Sequence, residues 1–120
     1  MIKVLIVDDA AFMRLSIKTI LERNEFEVVG EAASGNEAIA KYKDLKPDVV
    51  TMDITMPGMT GIEALRAIRE IDPQARIVII SSMGQDVLLR EAIVSGAKYF
   101  IVKPFKEVDV VRTMKQIAMM

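Results

Sequence analysis

Five short β-branched runs, each set apart by a segment of helical periodicity, constrain this chain more than any other feature. They fall at Lys3–Val7, Glu27–Gly30, Asp48–Met52, Ile77–Ile80 and Tyr99–Val102. Strand, helix and strand in succession pair in parallel, because a parallel partner is reached only through a crossover. The first, third and fourth runs are apolar on both faces, as expected of strands covered on both sides by helices. Between them, Phe12–Arg23 carries Met13, Ile17, Ile20 and Leu21 on one face. Ser34, three residues before Glu37, reads as a capping box for a helix that starts near Gly35 and ends before Pro47. Thr60 and Gly61 lead into Ile62–Ile71, which the Asp72-Pro73 turn stops. Asp86–Ser95 ends at Gly96, a left-handed cap, and Lys106–Met119 forms the last helix.

Five such units in 120 residues make one domain, 1–120, with an open doubly wound sheet, since a closed eight-unit barrel needs about twice the length. The expected α/β fold is flavodoxin-like, with strand order 2-1-3-4-5. In such sheets ligands bind beyond the carboxyl ends of the strands, where the strand order reverses between the first and third. The strand ends agree with this placement. Asp8 and Asp9 follow the first, Asp53 the third, Ser81 and Ser82 the fourth, and Lys103 the fifth. The second, at the outer edge, offers only Glu31 as a peripheral acid.

Each residue also has an ordinary reading. Asp9 suits the cap of the first helix, Ser81 a strand-end hydroxyl bonded to backbone, and Lys103 an exposed lysine. Their convergence on one rim favours a site. Two like charges about 4 Å apart repel by about 4 kcal/mol at an effective dielectric near 20, so Asp8, Asp9 and Asp53 require compensation beyond one lysine. An oxygen-only cluster suits Mg²⁺. The chain has no cysteine and no histidine, which excludes thiol catalysis, imidazole bases and the usual zinc sites. Chemistry therefore falls to carboxylates, hydroxyls and amines. Asp53, followed by a Met-Pro-Gly loop with free amides, is equipped to attack phosphorus, with Lys103 and Ser81 facing the developing charge. Sixteen basic against seventeen acidic residues give a formal charge of −1, which offers no footprint for nucleic acid or an anionic membrane. No apolar run is long enough to span a bilayer or serve as a signal segment, so a cytoplasmic protein is expected.

The segments "VDD" at 7–9, "MDITMPGMTG" at 52–61, "SS" at 81–82 and "VKPF" at 102–105 resemble the receiver domain of two-component response regulators, over the whole chain. "VDDAAFMR" and "KPDVVTMDITMPGMTGIEAL" look closest to the chemotaxis regulators of the CheY type. The resemblance implies that Asp53 accepts a phosphoryl group from a histidine kinase. Mg²⁺ would be held by Asp8 or Asp9, Asp53 and the backbone carbonyl of Thr55, with Asp9 a direct ligand and Asp8 acting partly through water. Lys103 would pair with the phosphoryl group and precede a cis Pro104. Ser81 matches the switch hydroxyl and Phe100 the switch aromatic, which would turn inward and remodel the face of the fourth helix, fifth strand and fifth helix. Leu89, Ile93, Phe100 and Val102 are the expected partner face. Ser81 is more often threonine and Phe100 often tyrosine in the family. Thr55 and Met83, where it tunes phosphoryl lifetime, are neither acid nor amide.

Independently of that resemblance, Val87, Leu88, Leu89, Ile93 and Val94 spread too widely around the fourth helix for one core stripe, so part of that surface should be exposed. Met114, Met119 and Met120 read as core filler and frayed terminus. The leading expectation is a monomeric, stand-alone phosphorylation switch that is not an enzyme in the multi-turnover sense. The chain stops after the fifth helix, so no DNA-binding output domain is expected. The resemblance points to a receptor-coupled histidine kinase upstream, the flagellar motor switch protein downstream and a separate phosphatase. A phosphorelay intermediate is the alternative, and a Mg²⁺-dependent aspartyl-phosphate phosphatase the rival from another class. The latter needs Asp-x-Asp at the nucleophile, where "DIT" has threonine. A flavin carrier on the same fold would need a hydroxyl-rich loop where the acids after the first strand stand.

Overall fold

The computed structural model describes residues 1–82 and 86–120. Its elements alternate throughout: β1 (Ile2–Val7), α1 (Ala11–Glu22), β2 (Phe26–Ala32), α2 (Gly35–Leu45), β3 (Val49–Met52), α3 (Gly61–Ile71), β4 (Ile77–Ser82), α4 (Asp86–Val94), β5 (Tyr99–Lys103) and α5 (Glu107–Ala118). The five strands form one parallel sheet in the order β2-β1-β3-β4-β5, the expected topology.

Strand pleating divides the core between the two faces. Leu5, Val7, Val50, Met52, Ile77 and Ile79 point to the side covered by α2, α3 and α4, where Ala38, Leu65, Ile68 and Ala92 meet them. Val4, Ile6, Val49, Val78, Ile80 and Ile101 point to the other side and pack on Ile17 and Leu21 of α1 and Val110, Met114 and Ile117 of α5. Each fully buried leucine or isoleucine contributes about 1.5–3 kcal/mol, so the β1–β3–β4 centre is the rigid platform of the molecule.

β2 runs two residues past its expected end. Glu31 and Ala32 continue the ladder opposite Ile6 and Val7, after an irregularity that skips Val29 between the Val28 and Gly30 pairings. Polar residues on an edge strand obscure its length in the sequence. β4 likewise takes in Ser81 and Ser82, and β5 takes in Lys103. Ser81, Ser82 and Lys103 therefore sit on the last residues of their strands, whereas Asp8 and Asp53 are the first residues past β1 and β3.

Helix ends are set locally. Ser34 accepts the Glu37 N–H at 3.2 Å as one half of the expected box. The full reciprocal box occurs at α3, where the Thr60 hydroxyl accepts from Glu63 N–H and the Glu63 carboxylate accepts from Thr60 N–H. After α4, Gly96 takes a φ of +115°, a conformation that costs glycine little.

Candidate functional site

Asp8 emerges directly from the buried end of β1, and each of its polar groups is engaged. Its N–H donates to the Ala32 carbonyl at 3.0 Å, and its own carbonyl accepts from Arg14 Nη1 at 2.7 Å. Oδ1 accepts from the Ala10 N–H at 2.9 Å and Oδ2 from Lys103 Nζ at 3.0 Å. Asp53, at the end of β3, donates its N–H to the Val7 carbonyl at 3.0 Å, which locks it beside β1. One carboxylate oxygen from each of Asp8, Asp9 and Asp53 lies within 4.8 Å of the others, with Asp8 and Asp53 buried and Asp9 exposed. Lys103 Nζ is 3.8 Å from Asp53 Oδ1 and so bridges two of the three acids.

Burial pushes the Asp53 carboxyl up to about 6. The Lys103 ammonium pulls it back, while Asp8 and Asp9 add to the rise. Three clustered carboxylates against one ammonium form an incomplete charge set, and its all-oxygen donors fit a hard divalent cation. The raised carboxyl at a strand end, beside such a cluster, makes Asp53 the candidate reactive group. Asp9 does not cap α1: the N-cap is Ala10, with no side-chain cap of its own.

Across the switch point, Ser81 is completely buried near the end of β4. Among the described residues its hydroxyl and that of Thr51 are the buried side-chain oxygens without a hydrogen-bond partner. Lys103-Pro104 is cis, as expected. Phe100 is about half exposed, and with Leu89, Ile93 and Val102 it lines a groove of about 540 Å³ that also includes Asp86, Arg90 and Val94. Val87 and Val94 are exposed while Ala92 and part of Leu88 and Leu89 face the core, which bears out the divided character expected of this helix. Met114 is core and Met119 and Met120 are exposed. Thr55 is exposed in the loop after Asp53, and Met83 lies outside the described residues.

Two contributors escape the sequence reading. A Cβ on Gly61 would lie 1.9 Å from the Asp53 carbonyl oxygen, so only glycine lets α3 start against the Asp53 peptide. Its N–H closes the intervening loop on the Ile54 carbonyl at 2.7 Å. The available signal was a glycine in the first turn of a helix, where it costs up to about 1 kcal/mol relative to alanine and so needs a reason. Glu31, read as peripheral, pairs with Arg14 at 3.1 Å and with Lys18 at 3.8 Å. The opposing charges were visible in the sequence, but the longer β2 that brings them together was not.

The sequence pattern of the response regulator receiver domain matches residues 4–115. This chain belongs to the receiver domain family. Among curated relatives of this receiver domain, the chemotaxis protein CheY of Thermotoga maritima is 55% identical over 116 residues, 97% of either chain. CheY of Bacillus subtilis is 61% identical over 104 residues, 87% of either chain. In structure, the receiver domain is similar to a chain of the CheX-CheY-BeF3-Mg²⁺ complex from Borrelia burgdorferi, with a TM-score of 0.92 and 40% identity over 97% of this chain and 88% of that one. The fold, its strand order and the family agree with what the motifs implied.

Proposed function

We propose that this protein is a stand-alone response regulator that takes a phosphoryl group onto Asp53 from a histidine kinase, most closely suited to chemotaxis signalling in the cytoplasm. The observation that carries this reading is the Asp53 carboxylate, held between the Asp8–Asp9 acids and Lys103, close to the end of the strand that carries the unpartnered Ser81 hydroxyl. The names of the curated relatives support the chemotaxis assignment. Among the described residues no helix is long and apolar enough to cross a membrane.

Asp8, Asp9, Asp53 and the Thr55 carbonyl would hold Mg²⁺, which supplies positive charge to the phosphoryl oxygens when bound. In the transfer, an Asp53 carboxylate oxygen forms a bond to phosphorus as the bond from phosphorus to the donor imidazole nitrogen breaks, and that nitrogen leaves with its electron pair. Lys103 faces one phosphoryl oxygen, and Ser81, moving toward the phosphate, donates to another. The protein catalyses gain and loss of its own phosphoryl group and is not a multi-turnover enzyme. Satisfying Ser81 would draw β4 toward the phosphate and let Phe100 turn inward, altering the groove with Leu89, Ile93 and Val102 that would receive the flagellar motor switch protein.

Intact-mass spectrometry after incubation with a small acyl phosphate, with and without Mg²⁺, tests the chemistry. The expected result is a Mg²⁺-dependent gain of one phosphoryl group that Asp53→Asn abolishes. Steady release of phosphate without an adduct would instead assign a phosphatase, and neither adduct nor turnover would remove the receiver chemistry.

A further inference from the structure

We infer that Arg14, braced by Glu31, is a positioning residue that fixes the peptide from which the two first-strand acids project. The inference rests on the cation-site reading given above. The Asp8–Asp9 peptide is planar, so holding the Asp8 carbonyl also sets the direction in which Asp9 departs. Arg14 Nη1 holds that carbonyl at 2.7 Å while Nε of the same guanidinium reaches Glu31 Oε1 at 3.1 Å. The guanidinium is itself largely covered, with the Arg14 side chain 18% exposed.

Two further contacts close this arrangement into a frame. Asp8 Oδ1 takes the N–H of Ala10, the uncapped entry to α1, and the Arg14 N–H bonds to the Ala10 carbonyl at 3.1 Å. Residues 8–14 are thus tied to themselves at both ends. The main chain of Asp8 is then referred twice to the end of β2: its N–H bonds to Ala32 directly, and its carbonyl reaches Glu31 through Arg14. A plain α1–β2 surface pair would require only the Glu31 contact. The bond to the Asp8 carbonyl makes the pair part of the acid site's support, and a rigid fork with donors in two directions is something lysine cannot reproduce.

The test is Mg²⁺ binding to the full chain without phosphodonor, followed by calorimetry or by amide shifts, for the wild type, Arg14→Lys and Arg14→Met. Both variants should bind Mg²⁺ about tenfold more weakly, the usual size of a supporting-contact loss. Phosphorylation should need correspondingly more Mg²⁺ for half its maximal rate while the rate at saturation stays within about twofold. Removing a nearby positive charge would by itself strengthen cation binding, so weakening in both variants separates position from charge. Wild-type affinity in Arg14→Lys, tighter binding in Arg14→Met, or a fall in the saturating rate with no change in Mg²⁺ requirement would each overturn the inference. Absence of Mg²⁺ binding in the wild type would instead remove the cation-site reading itself. Should Arg14→Met fail to fold, Glu31→Gln replaces it. That change should weaken binding less than Arg14→Lys, and the double variant should be no weaker than Arg14→Lys alone.

Discussion

The two halves of the strand-end rim are built on opposite plans. On the β1–β3 side, Asp8 has a partner for every polar group, and Asp53 is pinned to Val7 and backed by Gly61. On the β4–β5 side, Ser81 is buried without a partner and Phe100 stands half exposed beside an open apolar groove. The first half resembles a pre-set reagent, because a reacting carboxylate gains most when it needs no reorganisation. The second half holds an unmet hydrogen bond, a small free-energy reserve that a new acceptor at Asp53 could discharge. The pinned Asp53 and the unpartnered Ser81 thus stand at the ends of adjacent strands, β3 and β4.

Gly61→Ala would break the pre-set half most severely. A methyl group 1.9 Å from the Asp53 carbonyl must displace backbone, so a loss of about 3 kcal/mol in urea unfolding is expected, with phosphoryl uptake falling alongside it. Unchanged stability would show that α3 starts elsewhere.

Ser81→Ala and Thr51→Val sharpen the contrast, since both remove a buried hydroxyl that has no partner. Each should stabilise the unphosphorylated protein by about 1 kcal/mol. Only Ser81→Ala should slow phosphoryl uptake, on the order of a hundredfold, as loss of a single oriented donor does. Equal uptake in the two variants would reduce Ser81 to a packing residue.

The smallest effect belongs to an exposed pair outside both halves. Hydrogen bonds from Arg23 and then Asn24 pull the Glu107 carboxyl down from 4.5 to about 2. A lowered folded-state value stabilises the protein above the ordinary carboxylate range, and that contribution is lost as the pH falls from about 4.5 through about 2. Arg23→Gln should therefore lower the urea midpoint slightly near neutrality, and its difference from the wild type should vanish as the pH falls through this window. A large neutral-pH loss would show that the α1–α5 seam carries more than a solvent-screened tie.

Much of the rim was legible because strands end where apolar runs end. Asp8, Asp53, Ser81 and Lys103 each follow directly from, or close, a β-branched segment, and the parallel order puts those ends on one edge. Helix boundaries were legible to within a residue or two where a cap signal stood, as at Ser34, Asp72 and Gly96. The length of β2 was not legible, since a polar edge strand has no apolar run to mark its end, whereas the Thr-x-x-Glu spacing at Thr60 and Glu63 did carry the signal of the capping box.

The sequence by itself determined the alternating architecture, the core faces and which polar groups stand at the strand ends, because periodicity and residue chemistry are local properties of the chain. Tertiary structure alone decided which acid is buried and fully bonded and which is exposed. It also decided that Lys103 spans Asp8 and Asp53, that Gly61 touches the Asp53 peptide, and that Arg14 joins Glu31 to Asp8. Those facts depend on register and on approaches of a few ångströms between segments far apart in the chain, and residue type alone sets no distance between such segments.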